Sequence, residues 1–100
     1  MTERQLKEKV IYMIRQEFPN VFFWKTSERF TSGIPDIVGC IEGRFFAIEL
    51  KAARNKPSKI QDYTLKKIRE AGGHGFLAYN LSQIRMFFNN FEDYTCKSHL

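Results

Sequence analysis

The sequence predicts an α/β fold in the order α-β-β-β-α-β-α, a central mixed sheet flanked by helices. Three observations predict it. Two apolar runs, Ile37 to Ile41 and Phe45 to Leu50, flank Glu42-Gly43, and glycine at the second turn position suits a tight hairpin. Residues 2–17 and 58–73 carry apolar side chains at helical spacing. The stretch joining the Leu50 strand to a strand at Gly75 contains a helix and is long enough for a parallel crossover, which makes the sheet mixed.

The bulk properties narrow the class. A chain of 100 residues is read as one domain, residues 1–100, with enough length for a core and little to spare. No apolar run approaches the roughly 18 residues of a membrane span, and the start lacks a leader pattern. A soluble, cytoplasmic protein with no membrane partner is expected. The net charge of +5 favours polyanionic partners. Cys40 and Cys96 lack metal-ligand spacing, and Cys40 in its apolar run reads as a reduced, buried thiol. His74 and His99 have no partner at ligand spacing.

The first helix, residues 2–17, starts at Thr2, where Thr2 and Gln5 fit a capping box. Leu6, Val10, Met13, Ile14 and Glu17 form its stripe, widened by Ile11. Glu3 lies at the end of that stripe, and its spacing also suits a first-turn acid favoured by the helix dipole. Phe18-Pro19-Asn20 ends the helix. Val21 to Lys25 is an aromatic strand, followed by a polar loop to Gly33. In that loop Lys25, Ser27 and Arg29 suit phosphate contact or plain solvation equally.

In the hairpin, a two-residue turn places Ile41 opposite Arg44 and, counting outward, Asp36 opposite Glu49. Lys51 shares the Glu49 face. One face is then wholly apolar. The other, from Phe45 through Ala47 to Glu49 and Lys51, is charged only at the end far from the turn, so the sheet is expected to be covered on both sides with the charges in a cleft at the rim. Two opposed carboxylates with an ammonium beside them point to a metal site with a catalytic lysine. A salt bridge alone leaves the second carboxylate without a purpose.

A basic loop holding Arg54 and Lys56 follows, and a second helix runs from Ser58 until Gly72-Gly73 stop it, with Ile60, Thr64, Leu65, Ile68 and Ala71 as its stripe. Arg54, Lys56 and Lys59 belong to a cationic strip from Lys51 to Arg69 that suits a phosphodiester backbone or a solvated face. Gln61 either completes a capping box with Ser58 or reaches the cleft. Residues 75–80 form another strand and residues 82–89 a short helix. Phe87, Phe88 and Phe91 either finish the core or make a dimer surface.

The run Gly33-Ile34-Pro35-Asp36, then Phe46-Ala47-Ile48-Glu49-Leu50-Lys51, then Gln61 on the next helix resembles the PD-(D/E)XK nuclease superfamily over nearly the whole chain. More closely it is similar to the stand-alone VRR-NUC domains of phage and bacteria, which also implies a bacterial or phage-infected host. The resemblance implies a restriction-endonuclease-like core. It implies that Asp36, Glu49 and the Leu50 carbonyl, with Glu3 as the first-helix acid, bind Mg²⁺ or Mn²⁺. Lys51 then activates water or stabilises charge, and Gln61 positions the site. Small relatives of this kind work as homodimers, and some cut four-way DNA junctions by paired nicks. The function expected is a structure-selective DNA endonuclease acting on branched DNA. The alternatives are a flap or general DNA nuclease and a non-catalytic nucleic-acid-binding module on the same fold.

Overall fold

The structure is a computed structural model that describes residues 1–26 and 33–98, with side chains through Phe91. Its elements are α1 (Glu3–Glu17), β1 (Phe22–Lys25), β2 (Ile37–Ile41), β3 (Arg44–Leu50), α2 (Lys59–Glu70), β4 (His74–Ala78) and α3 (Leu81–Ser98). The strands form one sheet in the order β1-β2-β3-β4, antiparallel except where β4 runs parallel to β3. This is the mixed sheet flanked by helices that the sequence predicts.

The hairpin register is as expected, with Ile41 opposite Arg44 and Ile37 opposite Ile48. The turn residues show why. Glu42 and Gly43 both have positive φ, 51° and 77°, the signature of a two-residue type I′ turn whose twist matches the strands. An even-length turn keeps Ile37, Ile41, Phe46, Ile48 and Leu50 on one buried face. On that face α1 packs Leu6, Val10, Met13 and Ile14, and α3 packs Ile84, Phe88 and Phe91. The Thr2–Gln5 capping box closes the start of α1, and such a cap stabilises a helix by about 1 kcal/mol.

Three expectations need correction and one open alternative is decided. The last helix is no short segment: it spans Leu81–Ser98. Phe88 and Phe91 are buried and Phe87 packs against them, so of the two alternatives these aromatics finish the core. The second sheet face is only partly covered. Phe22, Cys40 and Phe45 pair across β1, β2 and β3, as do Trp24, Val38 and Ala47. Phe22, Trp24, Phe45 and Cys40 are all exposed. The reason is topological: α2 connects β3 to β4 and packs near them, where Gly75 faces Leu65 and Ile68. Cys40 on β2 lies beyond that cover, so it is a free but exposed thiol. The α2 stripe is thin for the same reason, with only Leu65 fully buried and Ile60 46% exposed.

Among the described residues no helix is long and apolar enough to cross a membrane. Ser27, Arg29 and His99 lie outside the described residues, and so does the Cys96 side chain.

Candidate active site

The candidate centre forms at the sheet rim, where the chain enters β2 and leaves β3. Asp36 sits one residue before β2, in a bend. Two neighbours hold it through backbone and hydroxyl contacts. The Thr26 N–H, just past β1, donates to the Asp36 carbonyl at 2.9 Å, and the Thr26 hydroxyl lies against the Pro35 and Asp36 carbonyls. The Leu50 N–H donates to Asp36 Oδ2 at 2.8 Å. Upstream, Gly33 packs on α2 with φ 87°, and a Cβ there would stand 2.6 Å from Ile60 Cγ1. Only glycine combines that backbone angle with that approach.

Glu49 is the only buried charged residue among those described, 2% exposed on β3. The register that sets Ile37 opposite Ile48 carries on to set Asp36 opposite Glu49. Burial pushes the Asp36 carboxyl up, but hydrogen bonds from Glu49, from the Leu50 N–H and from Lys7 together hold it below the usual aspartate range.

Lys51 follows β3 directly, and its N–H donates to the Ala78 carbonyl of β4 at 3.1 Å. Its ammonium lies 3.8 Å from Glu3 Oε1, with the lysine side chain 15% exposed. One turn further along α1, Lys7 Nζ lies 3.1 Å from Asp36 Oδ1. The first two turns of α1 thus bring one acid and one base onto the sheet's base and acid. Glu3 stands where the helix stripe pointed, toward the centre. Lys7 was not foreseen, although its position four residues after Glu3 puts both on one helix face.

The structure separates the remaining sequence-derived residues. Gln61 completes the capping box, with Ser58 N–H donating to Gln61 Oε1 at 2.8 Å and Gln61 N–H to Ser58 Oγ at 3.2 Å. Its side chain is thereby engaged at the start of α2. Arg54, Lys56 and Lys59 are exposed on the loop and helix start that follow Lys51. Lys25, at the end of β1, lines a cleft of about 330 Å³ together with Glu3, Arg4, Lys7 and Asp36. The cleft continues between α1 and β1 into a second, about 500 Å³, where Arg15 lies over the Phe23 ring at 5.7 Å. Sequence spacing gave no sign of Arg4 or Arg15 here, because only the tilt of α1 across β1 forms this groove.

The donor set suits a hard divalent cation. Among the described residues no group of three or more His, Cys, Asp or Glu side chains forms a metal cage. Two carboxylates beside an open cleft are nevertheless what Mg²⁺ uses, since it keeps several waters and takes one or two carboxylates plus substrate phosphate oxygens.

Residues 2–98 match the family described as archaeal Holliday junction resolvase (Hjc). A solved structure described as a VRR_NUC domain superposes with a TM-score of 0.69 at 22% identity, over 89% of this chain and 97% of its own. Both lie in the restriction-endonuclease-like nuclease superfamily. No curated protein matches the chain.

Proposed function

The chain belongs to the archaeal Holliday junction resolvase family, and from that premise we propose that it is a divalent-metal-dependent endonuclease that cuts four-way DNA junctions. The observation that carries this reading is the convergence of Asp36, Glu49, Lys51 and Glu3 at one rim of the sheet, beside a cleft edged by cations.

In this reading Asp36 and Glu49, with the Leu50 carbonyl, would hold one Mg²⁺ or Mn²⁺. Once bound, the ion supplies Lewis acidity toward the phosphate and an acidified water. Everything else falls to the chain's own groups. Asp36 is fixed by Thr26 and Leu50, so its carboxylate is pre-positioned. Lys51, held between the Ala78 carbonyl and Glu3, presents its ammonium to the developing charge on the phosphate. Glu3 orients Lys51 through their ion pair. Water attacks phosphorus and gives up a proton to bulk water as the bond to the leaving sugar oxygen breaks, and that oxygen takes a proton from bulk water as it departs. Gln61 steadies the α2 start beside the Lys51 loop. Lys25, Arg54, Lys56 and Lys59, with Ser27 and Arg29 soon after Lys25 in sequence, contact flanking phosphates without reading bases.

Paired nicks in a two-fold junction need two centres, so the working unit is a homodimer. The uncovered face of β1, β2 and the start of β3, with Phe22, Trp24 and Phe45 exposed, is the surface for the second copy.

A panel of four-way junction, flap, fork and plain duplex DNA, each with Mg²⁺ and with Mn²⁺, tests the proposal. Symmetric paired nicks in the junction, lost in Asp36→Ala and Lys51→Ala, are expected. Unchanged cutting by either variant overturns the assigned centre. Tight binding with no cleavage under either metal replaces the enzyme with a non-catalytic binding module.

A further inference from the structure

Lys7 is the feature that the proposed chemistry leaves without a task. It approaches Asp36 Oδ1 at 3.1 Å with the lysine 29% and the aspartate 13% exposed. The other oxygen, Oδ2, already accepts the Leu50 N–H. Asp36 therefore has both oxygens engaged, one by a rigid backbone donor and one by a flexible ammonium. A sheltered carboxylate is costly without a counter-charge, and Lys7 supplies it.

We infer that Lys7 is the resident counter-cation of the metal-free centre, displaced from Asp36 Oδ1 when a divalent cation enters and transferred to the phosphate that follows. The inference rests on the metal reading above. Its logic is competition. The Leu50 N–H is fixed in the strand, so an arriving cation takes Oδ1, where its charge repels the ammonium already there. Lysine suits this exchange, being a point charge on a four-carbon stem with no fixed fork geometry. Its release sends the ammonium into the cleft it already lines with Arg4 and Lys25, where a nucleic-acid phosphate replaces the lost partner.

Coupling follows. Metal at Asp36 frees Lys7 for phosphate, and phosphate on Lys7 frees Asp36 for metal, so each ligand raises the affinity for the other by the same factor. Lys7 acts here as a positioning residue: it sets when the centre accepts its cation and takes no part in bond cleavage.

The test is calorimetric titration of Mn²⁺ into the DNA-free protein, comparing wild type with Lys7→Met and Lys7→Gln. Both variants remove the charge, and Gln keeps a hydrogen-bond donor near Asp36 should the thioether prevent folding. Mn²⁺ binding about tenfold tighter than wild type is expected in both, with Lys7→Arg close to wild type. In junction binding measured with Ca²⁺, the salt slope of Lys7→Met is expected to fall by about one unit. Equal or weaker Mn²⁺ affinity in both charge-removing variants, with wild type binding the ion, overturns the role of Lys7 and leaves the metal reading standing. Wild type binding no Mn²⁺ overturns both.

Discussion

Asp36 Oδ2 accepts the Leu50 backbone N–H at 2.8 Å, which ties the residue entering β2 to the last residue of β3. The bond makes Asp36 structural as well as chemical. Asp36→Ala strands a buried N–H and leaves Lys7 facing no carboxylate, so it should destabilise the fold by about 1–3 kcal/mol. Asp36→Asn keeps an acceptor of the same shape and should cost less, while losing junction cutting just as fully. Urea denaturation beside a cutting assay separates the two effects. Equal stability of Asp36→Ala and wild type would show that the bond contributes nothing.

Acid should act on the fold in two windows. His74 packs its ring against Phe91 at 4.7 Å and Phe87 at 5.9 Å. Burial and the Arg44 charge both hold its pKa below the ordinary value. The folded state thus resists protonation, so stability is full above about pH 6.5 and falls as pH drops toward the lowered folded value. Asp36 is also depressed, burial notwithstanding, by its hydrogen bonds from Glu49, Leu50 and Lys7. Its contribution is full above the ordinary carboxylate range near about pH 4 and fades below it. Melting temperature against pH should show both slopes, His74→Phe removing the upper and Asp36→Asn the lower.

The turn offers a test of register. Glu42 holds φ 51° with a side chain, a conformation costing about 1–2 kcal/mol for most residues and little for asparagine. Glu42→Asn should therefore stabilise the hairpin by up to about 1 kcal/mol with cutting intact. Gly43 has φ 77° and open space around it, so Gly43→Val should lose about 1–2 kcal/mol through backbone strain alone. Denaturation midpoints of both variants check the pair.

Self-association should depend on the uncovered sheet face. Trp24 is 53% and Phe22 67% exposed, their rings 5.6 Å apart. Trp24→Glu should yield a monomer by sedimentation velocity at micromolar concentration, with the fold retained because the site is outside the core. A wild type that sediments as a monomer would remove the dimer from the proposal.

The cationic loop should set salt dependence and leave chemistry alone. Arg54, Lys56 and Lys59 are exposed, and each one that meets a phosphate should lower the salt slope of junction binding by about one unit when changed to alanine. Turnover on bound junction should stay near wild type. Slopes unchanged in all three would move the DNA path elsewhere.

Local chemistry let the sequence determine a good deal. Asp36, Glu49 and Lys51 were legible because strand periodicity and a Glu42-Gly43 turn leave one register that buries Ile37, Ile41, Phe46 and Ile48 together. Thr2 and Ser58 announced their helices through side-chain caps that act within three residues. Tertiary structure alone decided which open alternatives were taken, Gln61 to its cap and Phe88 and Phe91 to the core, and it overturned the buried reading of Cys40, which is exposed. It alone brought Lys7 to Asp36, since an ion pair between a helix and a strand entry depends on how α1 lies across the rim. The physical reason is range. Caps, turns and periodicity are settled between near neighbours, whereas cover, exposure and counter-charge depend on which distant element arrives, and sequence spacing does not encode that distance.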